Sequence, residues 1–101
     1  MSEPLASPSE PTPFIVRVQT GVRMEKRMVK VLKALAEYHD LSLGELLEGI
    51  VLHAFAGKAP FSQETLAKVD SLKQVYGLDL SAGDSHLLRE SARARAPGRK
   101  R

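Results

Sequence analysis

The stretch Phe14–Thr20 constrains this chain most, because it reads as a β-strand with no mate. It runs Phe-Ile-Val-Arg-Val-Gln-Thr, rich in β-branched and aromatic residues, and alternates apolar and polar from Val16. Phe14, Val16 and Val18 share one face, and Ile15, Arg17 and Gln19 share the other. The parity continues with Thr20, Val22 and Met24 on the first face and Gly21 and Arg23 on the second. The strand could therefore extend or slide toward Met24 without exchanging faces, with Gly21 as its weak point. A single strand leaves its backbone donors and acceptors unpaired and is not stable alone. The simplest repair is a second copy about a two-fold axis, which predicts a homodimer joined by a two-stranded antiparallel ribbon.

The residues after the strand read as helix. From Met24 to His39, Met28, Leu32, Leu35, Ala36 and His39 fall at helical spacing, and Val29 and Val31 broaden the stripe. Lys26, Arg27, Lys30, Lys33 and Glu37 take the other side. Asp40 and Leu41 form a break. Ser42 with Glu45 three residues on makes a capping box, and Leu41 with Leu46 is placed as a hydrophobic staple. The second helix carries Leu43, Leu46, Leu47, Ile50, Val51, Ala54 and Phe55, more apolar surface than one partner helix needs, and Gly57 stops it. Gly49 inside it is either a point of close approach or a tolerated cost. A third helix starts at Ser62, with Leu66, Val69, Leu72 and Tyr76 as its expected buried stripe. Gly77 followed by Leu78 predicts a Schellman ending. Asp84 or Ser85 is placed to start a last short helix through Leu88.

The 101 residues suit one domain. Residues 1–13, rich in Pro, Ser and Glu, read as a disordered arm, and residues 91–101 read as a disordered basic tail. Residues 14–57 form the expected core unit and 58–90 a helical extension. A centre of roughly 75 residues sits where one core is marginal and oligomerisation supplies buried area. With no cysteine, disulfides and thiolate metal sites are excluded. No apolar run reaches the ~18 residues of a membrane span, and no basic leader opens the chain, so a cytoplasmic location is expected. Net charge is only +3, yet Arg17, Arg23, Lys26, Arg27, Lys30 and Lys33 face Glu25 alone between residues 17 and 33. A basic block inside a structured segment points to a polyanion. The bland alternative is a solvated helix face.

The order strand, helix, break, capped helix resembles the ribbon-helix-helix family of DNA-binding proteins, of MetJ and Arc type. The stretch Leu35-Ala36-Glu37-Tyr38-His39-Asp40-Leu41-Ser42-Leu43-Gly44-Glu45-Leu46-Leu47-Glu48 is similar to that family's turn between helices, and the likeness covers about residues 14–55. It implies a mainly α fold: a ribbon-helix-helix dimer of one N-terminal strand plus two helices, here with an additional C-terminal helix. It implies DNA as partner, read in the major groove by outward strand residues Arg17, Gln19 and Arg23. Phosphate would be held at the start of the second helix by Ser42, Leu43 and Gly44, with Lys26, Arg27 and Lys30 adding contacts. A gapless match to short family members moves the ribbon to residues 19–24 and puts Gly21 at a reading position. Both registers stay open.

The expected role is thus sequence-specific DNA binding by a homodimer, a transcriptional regulator of repressor or antitoxin-like kind. A dimeric protein–protein interaction module without DNA is the alternative, and the third helix could hold a protein partner. No catalytic motif appears. His39, His53 and His86 are too scattered for a helical metal pair, so no metal or other cofactor is expected.

Overall fold

The computed structural model describes residues 12–91, so nearly all of the expected N-terminal arm and basic tail lie outside the described residues. Three helices come after a segment without regular secondary structure: α1 Lys26–Tyr38, α2 Leu43–Phe55 and α3 Gln63–Tyr76, with a 3₁₀ turn at Ala82–Asp84. α1 is central and packs on both α2 and α3.

The predicted strand is not there. Residues 12–25 take no regular secondary structure, no β-strand occurs among the described residues, and the ribbon-helix-helix assignment is corrected to a small three-helix arrangement. The alternation at 14–20 was a real pattern with no surface to act on. A strand exists only through a ladder partner, and this chain holds none among the described residues. Phe14, Val16 and Val18, expected to face inward, are 103%, 90% and 80% exposed. The segment is tied instead by side chains, Arg17 to Glu48 on α2 and Arg23 to Glu90.

The helix ends agree closely with the sequence. Ser42 Oγ accepts from the Glu45 N–H at 3.1 Å, and Glu45 Oε1 accepts from the Ser42 N–H at 2.9 Å, a complete capping box. Ser62 Oγ likewise accepts from the Thr65 N–H at 3.1 Å. Gly77 is left-handed at φ 67°, and the Leu78 N–H donates to the Lys73 carbonyl at 2.8 Å, as the Schellman ending requires. Gly57 (φ 70°) closes α2 the same way, with Lys58 N–H on the His53 carbonyl. α1 starts two residues later than expected because Glu25 caps it, accepting from the Met28 N–H at 3.0 Å. The last short helix is replaced by the 3₁₀ turn, and residues 87–91 are irregular.

The buried core is small. Val31, Leu35 and Ala36 from α1 and Leu46 from α2 are the buried apolar residues, and Leu35 is only 1% exposed. Leu32, Ile50, Phe61, Val69 and Leu72 pack around Leu35, Ala36 and Leu46. α3 turns a slightly different face inward than expected. Thr65 is buried and Leu66 lies open, because the Ser62 cap and the His39 ring, 3.3 Å from Thr65 Oγ1, draw that hydroxyl in. Gly49 has open space where a side chain would stand, so no element approaches it closely.

Candidate nucleic-acid interface

The cationic residues of 17–33 divide into those the fold has engaged and those it has left to solvent. Arg17 belongs to the first group. Its Nε and Nη2 donate to the two carboxylate oxygens of Glu48 at 2.7 and 2.8 Å, a bidentate fork. That hydrogen bond chiefly raises the Arg17 pKa, with Glu45 adding to the field, and Arg17 in turn lowers the Glu48 pKa. The N-terminal segment is therefore tied to α2 at this point. Arg23 donates to Glu90 and joins the segment to the far end of the described chain.

Arg27, expected on phosphate, is a structural tie. Its Nε donates to Glu25 Oε2 at 2.8 Å, and its Nη1 donates to the Gly77 carbonyl at 2.8 Å and to Asp79 Oδ1 at 3.1 Å. It thereby links the start of α1 to the C-terminus of α3, where a cation offsets the helix dipole. Burial pushes the Glu25 carboxyl up, but the bonds from Arg27 and the Met28 N–H outweigh this and leave its pKa lowered.

Lys26, Lys30 and Lys33 behave differently. They recur at helical spacing on the side of α1 away from Val31 and Leu35, all three are exposed, and none joins an ion pair among the described residues. Lys30 reaches over the Tyr76 ring, 5.9 Å from its centroid. Gln19 is exposed on the N-terminal segment. At the start of α2, Leu43 and Gly44 have N–H groups with no acceptor inside the helix, and Gly44 is exposed. The Ser42 N–H is taken by Glu45, which also brings a negative charge to that end.

The structure thus brings Arg17 to α2 and Arg27 to α3, and it leaves the lysines as a separate stripe. Glu48 and Glu90 were not singled out from the sequence, and Glu25 was noted only as the lone acid of the basic block. Glu25 was legible as an acid before a helix, whereas Glu48 and Glu90 lie 31 and 67 residues from their arginines and carry no local signal. Among the described residues no group of three or more His, Cys, Asp or Glu is placed to hold a metal. No described helix is long and apolar enough to cross a membrane. No protein-family model, curated protein or solved structure matches the chain.

Proposed function

We propose that the chain binds double-stranded DNA as a homodimer and acts as a transcriptional regulator of repressor or antitoxin-like kind. The observation that carries this reading is the exposed lysine stripe Lys26, Lys30 and Lys33, which no carboxylate neutralises among the described residues. Such a stripe suits phosphate, and the N–H groups of Leu43 and Gly44 offer a second phosphate contact. The N-terminal segment, bearing Arg17, Gln19 and Arg23, supplies donors for base edges once Glu48 and Glu90 release the two arginines. Support for the homodimer comes from α2. Leu47, Val51 and Phe55 form a stripe centred about two-fifths of the way round the helix from Leu46, and Phe55 is 83% exposed. An apolar stripe of this kind is self-complementary across a two-fold axis.

Fluorescence anisotropy with duplex DNA at two salt concentrations tests the reading. Affinity should fall steeply with salt, and Lys26→Ala, Lys30→Ala, Lys33→Ala should flatten the log–log slope by about one unit for each lysine that grips a phosphate. No complex at low salt, or a slope the triple variant leaves intact, rejects it.

A second reading, a dimeric protein–protein module without DNA, is favoured by the carboxylates already seated on Arg17 and Arg23. An Arg17→Ala, Arg23→Ala variant that stays dimeric and keeps its activity in the cell would select it.

A further inference from the structure

A groove lies between the start of α1 and the segment 80–91, away from α2, and it encloses about 1210 Å³. We propose that it is a docking site for an acidic amphipathic peptide segment of another protein.

Part of the lining is apolar. Val22 and Met24 come from the end of the N-terminal segment, Val29 from α1, and Leu80 and Leu88 from the chain after α3. Val22, Met24 and Leu88 are exposed, so the groove holds apolar surface that the fold leaves uncovered. The rim is basic. Of the charged lining residues, Arg23 is paired with Glu90 and Arg27 with Glu25. Those pairs cancel and leave Lys26 and Arg89, which join no ion pair among the described residues. At the rim His86 takes a left-handed backbone, φ 67°, uncommon for a residue other than glycine.

Charge complementarity and size select the occupant. A partner must bring carboxylates to Lys26 and Arg89 and apolar side chains to the floor, the pattern of a helix or extended segment laid in a groove. The space exceeds the roughly 300–1,000 Å³ of small-molecule pockets. A DNA backbone would meet the cations but leave Met24 and Leu88 uncovered. The chain's own terminal run, with Arg93, Arg95, Arg99, Lys100 and Arg101, has the same sign as the rim. The site shares Lys26 and Arg23 with the DNA reading, but its test does not require DNA binding.

The test selects ligands from a displayed library of random peptides about 12 residues long, panned on the full chain. Enriched peptides are then synthesised with a fluorescent label and their affinities measured. The expected winners carry net negative charge with Leu or Phe among the acids. Leu88→Asp should weaken them by about tenfold or more, as removing one anchor does, and Arg89→Glu should weaken them with a reduced salt dependence. Both residues are exposed, and an unchanged circular dichroism spectrum verifies that each variant folds. The proposal is overturned by winners with no acidic bias, by the absence of any enrichment, or by affinities that Leu88→Asp leaves unchanged. Two further outcomes overturn it. One is duplex DNA that displaces the peptides and is itself weakened by Leu88→Asp. The other is a concentration-dependent self-association that Leu88→Asp removes, which makes the occupant a second copy.

Discussion

Leu35→Ala is the most informative perturbation of this fold. Leu35 is the most deeply buried large side chain, at 1% exposure, and it sits on the one helix that packs against both others. Truncation removes three side-chain carbons from a site lined by Leu46 of α2 and, from α3, Val69 and Leu72. Because two helices meet there, the site cannot collapse onto the gap without moving one of them. The cost should therefore lie well inside the 2–5 kcal/mol range of such changes, at about 3 kcal/mol. A core of this size rarely supplies more than about 3–5 kcal/mol in total. The variant should thus sit near its unfolding midpoint in water, while Leu35→Met, which keeps volume, should lose less than about 1.5 kcal/mol. Urea titration monitored by far-ultraviolet circular dichroism, at two protein concentrations, measures both. A homodimer adds a diagnostic feature, since raising the concentration should restore part of the lost stability. A loss for Leu35→Ala below about 1 kcal/mol with an unchanged m value would refute a core centred on this residue.

The helix starts give two further expected outcomes. Ser42→Ala removes one half of the capping box at α2 and should cost about 1 kcal/mol, lowering the melting temperature by roughly 4–8 °C for a domain of this size; an unchanged melting curve would mean the box adds nothing. Glu25 caps α1 with a lowered pKa, so its contribution is fully present above the unfolded glutamate value of about 4.3 and drains away as pH falls through the lower folded value. Thermal stability should decline over that acidic window, and Glu25→Gln should show a shallower decline; identical acid profiles for the two proteins would contradict the assignment.

Much of the helical architecture was legible because its signals are local. Ser42 and Glu45, Gly57, and Gly77 with Leu78 each fix a helix end through atoms a few residues apart, and each is found as the spacing implied. The alternation at 14–20 was equally clear and misled, because strand formation depends on a second strand that no local pattern can supply. The cationic block was visible too, but its division was not. Whether a given arginine faces solvent depends on which distant carboxylate the fold brings within reach.

By itself, then, the order of residues determined three helices, most of their ends, and a concentration of positive charge before the first break, since capping and periodicity act over one or two turns. Only the tertiary structure decided that Arg17 and Arg23 meet Glu48 and Glu90, that Arg27 braces α3, and that Lys26, Lys30 and Lys33 remain on an open stripe. The physical reason is range. A hydrogen-bonded turn closes over about four residues, whereas an ion pair across the fold forms only after the helices that carry it have packed.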